Sequence, residues 1–296
     1  MSGNSKTASD MWDLILSIAS SSLIFVVFKG YSRFRVNTFY AIIGNYLTAC
    51  SVGFIFFPRT LSLPEIPGKP WFLPAVALGV LFIVIFNLMA RTSQQLGVSV
   101  ASVATKMSLV IPVVAGVVLY GEVLGPIKIA GIALALVAVY FASVKTRKVS
   151  WEPRLLYLPA LVFLGSGIID TSIKYLEETR IPDAEYPLFS ACIFGAAGTT
   201  GILVTALRKP RELFTWRPRN LLGGLALGIP NFFSIYFLLK ALQFDGLTSA
   251  AIFTLNNVGI VTLTTLLGIA FFGEKLSARN WLGVGLALVS IAIISS

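Results

Sequence analysis

The chain has 296 residues, of which 56% are hydrophobic and only 12% charged, and its mean hydropathy is +0.85. No soluble domain of this length has an interior able to hide that much apolar surface, so the composition excludes a water-soluble fold and predicts an all-α, polytopic membrane protein. The formal charge of +10 does not indicate nucleic acid, because the basic residues sit in short loops between apolar runs, where they act as topology signals and form no binding face.

Met1 to Asp10 is polar, with one lysine and no adjoining small-residue cleavage site, so the first apolar run reads as a true span. Apolar runs long enough to cross a bilayer are predicted near 12–28, 38–57, 71–90, 98–120, 126–144, 155–174, 187–207, 219–239, 247–272 and 278–295. The connection Pro58 to Pro70, with prolines at 58, 64, 67 and 70, reads as a rigid spacer. The polar stretch Thr146 to Pro153, with Trp151 as an interface anchor, divides the ten predicted spans five and five. Residues 1–146 and 155–296 are therefore read as two five-helix repeats, joined by a cytoplasmic linker over 147–154.

The two halves echo one another. Gly121-Glu122-Val123-Leu124 and the following Gly131 to Val137 return 152 residues later as Gly273-Glu274-Lys275-Leu276 and Gly283 to Val289. Upstream, Ala77-Leu78-Gly79, Arg91, Gln94, Gly97 and Ala101 match Ala226-Leu227-Gly228, Lys240, Gln243, Gly246 and Ala250 at a spacing of 149. Five spans is an odd number, so the second copy enters the membrane from the opposite side and the repeat is inverted. Fifteen lysines and arginines follow spans 1, 3, 5, 7 and 9, against seven on the other side: Lys6, Arg59, Lys69, Lys128, Lys174, Arg180 and Lys240. This bias predicts cytoplasmic odd loops and both termini outside the cytoplasm.

Tyr120-Gly121-Glu122-Val123-Leu124 and Phe272-Gly273-Glu274-Lys275-Leu276 each close a long fourth helix and precede a fifth helix rich in small residues. With Pro112 and the small-residue openings Gly97 to Ala101 and Gly246 to Ala250, the chain resembles the drug/metabolite transporter superfamily, specifically its EamA-like members with two inverted five-helix repeats. It departs from them in helix 1, which reads Ser17-Ile18-Ala19-Ser20-Ser21-Ser22 where many members have a tryptophan-glycine pair, and in helix 9, which lacks the proline of helix 4. The resemblance implies transport of amino acids, metabolites, drugs or sugar nucleotides and leaves the substrate open. It also makes the inner membrane the expected location.

Glu122 and Glu274 sit where a helix ends and a short turn begins the next, so each carboxylate is expected to cap the following helix, with a proton-carrying role as the alternative. Alternating small residues predict helices 5 and 10 to be packing or dimer-facing, in a monomer or weak homodimer. Gly79, Pro112, Gly228 and Pro230 are candidate bending points.

Charge inside a bilayer is costly and marks function by default. Lys106, about nine residues into helix 4, either binds an anionic group of the substrate or pairs permanently with Asp170 or helix carbonyls. Asp170 in helix 6 is a candidate protonatable switch or a partly hydrated carboxylate at a cavity mouth. Lys29 and Lys174, at the ends of helices 1 and 6, are candidates for coupling or gating, or snorkel to the interface. Asn45, Tyr46, Asn87, Asn231, Ser234, Tyr236, Asn256 and Asn257 supply neutral polar groups that bind a zwitterion or a sugar, or else bond to neighbouring helices.

The chain has no histidine, and Cys50 and Cys192 both lie in apolar runs. No cofactor or metal is expected, and the chain lacks a nucleophile and base set for an enzyme. Without a phosphate-cradling Gly-x-x-x-x-Gly-Lys loop, coupling must come from a proton or other ion, from exchange, or from the substrate gradient. The reading is thus a secondary transporter of alternating access for a small polar or anionic metabolite, amino acids first. The alternative is a flippase for a lipid-linked intermediate.

Overall fold

The computed structural model describes residues 3–56, 63–95, 104–143, 155, 157–208, 217–244, 246–273 and 277–295. Among them are ten α-helices and no strand: α1 (Gly3–Arg33), α2 (Thr38–Ile55), α3 (Phe72–Gln95), α4 (Val110–Tyr120), α5 (Pro126–Ser143), α6 (Tyr157–Arg180), α7 (Tyr186–Arg208), α8 (Pro218–Leu242), α9 (Ser249–Phe272) and α10 (Ala278–Ser295). Six of these regions, Met11–Phe28, Thr38–Ile55, Phe72–Met89, Asp183–Arg208, Pro218–Leu242 and Ser249–Phe272, are long and apolar enough to cross a membrane. Ala104–Leu119, Pro126–Phe141 and Ala278–Ile294 are shorter apolar helices, and α6 carries Asp170 and Lys174 within its apolar stretch. The protein is therefore an all-α polytopic membrane protein.

Local chemistry sets the helix ends. The Asn37 side chain accepts from the amides of Phe39 and Tyr40 to start α2, and Thr248 accepts from Ala251 to start α9. At α10, Ser277 Oγ accepts from the amide of Asn280 while Asn280 Oδ1 accepts from the amide of Ser277, a reciprocal cap. Gly121 and Gly273, the repeated glycines, end α4 and α9 in the left-handed region at φ 64° and 60°. That backbone excludes most side chains, so the spacing of 152 is a spacing of helix stops.

The helices divide into two compact units, and each unit draws on both sequence repeats. One comprises Met1–Ile18, Ile85–Ser172 and Ala241–Ser296, and the other Ala19–Val84 and Ile173–Lys240.

In the first unit, α5 and α10 pack on each other and on α9 through Ala135, Ala138, Val139, Val258, Val261 and Ala287. The Ser290 hydroxyl donates to the Gly131 carbonyl at 2.9 Å, so these small-residue helices serve for packing between repeats. Glu122, immediately after α4, reaches back across the repeats. Its carboxylate accepts from the Ser249 amide at 3.0 Å, the Ala250 amide at 3.3 Å and the Ser249 hydroxyl. Gly116 makes the room, since a Cβ there would lie 2.8 Å from Glu122 Oε2. The expectation that Glu122 caps the next helix is thus corrected: it caps α9, because the turn after Gly121 directs the carboxylate toward the free amides of that helix. Glu274, the linker 147–154 and the opening Gly97 to Ala101 lie outside the described residues.

In the second unit α2 and α7 are the central pair. At one end Glu185, between α6 and α7, accepts from Lys69 Nζ at 2.7 Å and from the buried Trp71 indole at 2.6 Å, both just before α3. At the other end Asn220 Oδ1 accepts from the Asn37 amide at 3.0 Å, and the Tyr31 hydroxyl donates to the Gly223 carbonyl at 2.7 Å. The start of α2 therefore lies beside the start of α8, the helix that follows α7, and the start of α7 beside the residues that lead into α3, the helix that follows α2. The second helices of the two repeats run antiparallel. So do the fourth helices, because α9 begins where α4 ends, and the repeats are inverted.

Two further expectations change. Gly79 and Gly228 lie within unbroken helices, where a Cβ would come within 2.4 Å of the Ile193 carbonyl and 2.5 Å of Thr48 Cβ. They are points of close helix approach within continuous helices, and α8 is likewise continuous through Pro230. Lys174 is not at a helix end, since α6 runs on to Arg180 and Lys174 pairs with Glu177 at 3.0 Å and Glu178 at 2.6 Å.

Replacing Gly121 or Gly273 by alanine should each cost about 1 kcal/mol through the left-handed backbone alone. Glu122→Ala should cost about 1–2 kcal/mol by uncapping α9, read as a lower thermal midpoint of the detergent-solubilised protein. Glu185→Gln removes the counter-charge of Lys69 and is expected to cost about 2–3 kcal/mol, whereas Asn220→Ala, which removes neutral bonds only, should cost about 1 kcal/mol. Equal losses at the two ends would contradict the difference in chemistry.

Candidate functional site

The site begins with an irregularity in the fourth span. Residues 104–107 form a helical turn, Ser108 and Leu109 a tight turn, and α4 proper starts at Val110. The cause is Pro112, which has no amide hydrogen to offer the Ser108 carbonyl and whose ring crowds it. The Ile111 amide takes that carbonyl instead at 2.9 Å, and the Leu109 amide bonds to Lys106 at 3.4 Å, both one residue shorter than α-helical spacing. Lys106 therefore sits beside a tightened, proline-induced break, and it is only 8% exposed.

Its ammonium donates to Asn257 Oδ1 on α9 at 3.1 Å. Asn257 Nδ2 donates to the Phe253 carbonyl at 3.1 Å, which fixes which end of the amide faces Lys106. The two residues are 151 apart, within the register of the repeat, so the fourth helices meet at equivalent positions. An inverted repeat can bring equivalent positions together only close to its pseudo-two-fold axis. Asp170 on α6 is the charged group that acts electrostatically on Lys106, and the Thr171 hydroxyl beside it has no hydrogen-bond partner among the described residues. Asn256 is also engaged, accepting from the Ser17 hydroxyl of α1 at 3.2 Å. Lys106, Asp170, Asn256, Asn257 and Ser17 thus fall in one unit, in the helical turn before α4 and on α6, α9 and α1.

The remaining candidates fall elsewhere. Asn231 Nδ2 donates to Asn45 Oδ1 at 3.1 Å in the second unit, and Asn45 Nδ2 is buried with no partner among the described residues. Tyr46 is buried with its ring stacked on Phe194, and Ser234 bonds to the Asn231 carbonyl of its own helix. Tyr236 stacks on Phe232 and lies 5.4 Å under the Lys240 ammonium. Asn87 is exposed on α3, and Lys174 is bound into the ion-pair cluster with Glu177 and Glu178. The side chain of Lys29 lies outside the described residues.

Ser17, with no exposure, and Asp13, with 8%, are among the buried polar residues that were not candidates. The apolar run starts at Trp12, which placed Asp13 at a span end, but α1 already begins at Gly3. The available signal was spacing, because Asp13 and Ser17, four residues apart, share one helical face. Among the described residues no group of three or more histidine, cysteine, aspartate or glutamate side chains could hold a metal ion. What the cluster offers is one ammonium, carboxylates and oriented amides in an apolar surround, a set suited to gripping a small polar solute.

The sequence matches the EamA-like transporter family twice, over residues 11–144 and 156–296. It is 26% identical over 292 residues to an uncharacterized protein of Haemophilus influenzae, covering 95% of this chain and 96% of that one. It is 29% identical over 138 residues to the uncharacterized transporter YwfM of Bacillus subtilis, covering 46% of this chain and 45% of that one. A solved crystal structure superposes with a TM-score of 0.77 at 16% identity, over 97% of this chain and 96% of its own, a likeness of fold alone. With both repeats matched, and with the ten helices and inverted arrangement above, the chain belongs to the EamA-like transporter family and is a membrane transporter.

Proposed function

We propose that this transporter is a secondary carrier of alternating access for a small polar or anionic metabolite, amino acids first, and that Lys106 receives the anionic group of the cargo. The observation that supports it most is the Lys106–Asn257 contact, a buried cation beside a broken helix where the two fourth helices meet at repeat-equivalent positions. A carrier must present its site to either side in turn, and the axis of an inverted repeat is the place that both conformations share. Asn257 holds the ammonium through a neutral amide, and a carboxylate of the cargo would make the stronger, charge-assisted contact in its place. Asn256 and Asn257 line the same stretch, and Asp170 is the coupling group, its charge set against that of Lys106. Lys174, bound between two glutamates, and Lys29 remain gating candidates on helices 6 and 1, and the neutral pair Asn45 and Asn231, with Tyr46, Tyr236 and Asn87, is assigned to cargo passage. We place the protein in the inner membrane with both termini outside the cytoplasm, on the lysine and arginine bias of its loops.

Uptake of labelled L-amino acids into proteoliposomes is the test. Saturable uptake should fall to background in Lys106→Ala, and Asn257→Ala should raise KM about tenfold with the protein still monodisperse. An imposed pH gradient should drive uptake in the wild type and not in Asp170→Asn. Undiminished uptake in Lys106→Ala would remove the central claim. A change confined to lipid head-group accessibility would favour a lipid flippase.

A further inference from the structure

We propose that Asp13 is the second charged pole of the Lys106 site, the group that selects cargo carrying an ammonium. The inference rests on the transporter reading of Lys106 and adds to it a residue on a different helix. Asp13 and Ser17 lie on one buried face of α1, with Asp13 at 8% exposure and Ser17 at 0%. Residues four apart on a helix lie on one face, so Asp13 points the same way as Ser17. That direction is known from contacts: the Ser17 hydroxyl donates to Asn256, and a Cβ on Gly259 would lie 2.6 Å from Ile18 Cδ1, so this face of α1 is seated on α9. Asn256 adjoins Asn257, which holds Lys106.

Because the repeats are inverted and successive helices alternate, α1 and α9 run in the same direction. Asp13 therefore lies one turn, about 5–6 Å, nearer than Ser17 to the end at which α9 begins. The ammonium is held at Asn257, and the carboxylate lies one turn beyond Ser17, the partner of the adjoining Asn256, so the two opposite charges are spaced on the scale of a small zwitterion. A buried carboxylate within a spanning helix is costly enough to need a use, and recognition of a cation is the use that this placement serves.

Matched probes test the assignment in proteoliposomes: L-alanine with propanoate, L-leucine with isocaproate and L-glutamate with glutarate. The wild type should take at least one amino acid in preference to its deaminated partner. Asp13→Asn should weaken that amino acid about tenfold or more while leaving the deaminated acid unchanged. Asp13→Glu, which displaces the carboxylate by one methylene, should weaken the amino acid a few-fold and leave the deaminated acid unchanged, and it decides the matter if Asp13→Asn is not monodisperse: equal loss of both members of a pair, or no change in either, overturns the proposal. A preference that survives in Asp13→Asn overturns it too, as does equal loss of both members there, which would mark Asp13 as a mere counter-ion. A wild type indifferent to the amino group in every pair, or one that takes none of these amino acids, is equally fatal. Lys106→Ala should lose both members of each pair, and its failure to do so would sink the parent reading whatever Asp13 does.

Discussion

Inside hydrocarbon a polar group has no water to turn to, so every donor, acceptor and charge must find its partner within the protein. That requirement explains why the polar residues of this chain mark its architecture. In each unit the bonds between distant parts of the sequence join one repeat to the other: Lys106 to Asn257, Ser17 to Asn256, Glu122 to the start of α9, and Asn45 to Asn231. Apolar packing brings helices together with little preference for register. These bonds choose the register, and they choose it across the inversion.

The Gly-Glu motif shows how the requirement operates. A helix stop leaves free carbonyls at its end, and a helix start leaves free amides. Gly121 resolves the first by turning into the left-handed region, and Glu122 resolves the second for a different helix, α9, with Gly116 kept small so that the carboxylate fits. Two antiparallel fourth helices are thereby joined end to start. Deeper along the same pair, the proline break at Ser108 tightens the backbone just where Lys106 meets its amide partner. The pair is thus fastened at its end and irregular along its length.

The second unit carries a different asymmetry. One end of α2 and α7 is tied by charge, through Lys69, Glu185 and Trp71, with Lys174, Glu177 and Tyr186 nearby in the chain. The other end is tied by neutral bonds of Asn37, Asn220 and Tyr31. Inverted repeats give the two ends equivalent backbones, but the side chains make them unequal, and ionic strength acts on only one of them.

Much of this was legible in the order of residues alone, because it depends on local or cumulative properties. The number of helices follows from the length of apolar runs, the inversion from an odd count in each repeat, and the helix stops from glycines whose backbone needs are local. That Lys106 lies deep in a span followed from its place within the apolar run 98–120. Partners and directions were not legible. That Glu122 caps α9 instead of the next helix, that Gly79 and Gly228 are points of close helix approach, that Asn257 holds Lys106, and that Asp13 is buried all depend on which helix lies beside which. A hydrophobic period reports that a face is covered and is silent on what covers it, so only the tertiary arrangement could decide those contacts.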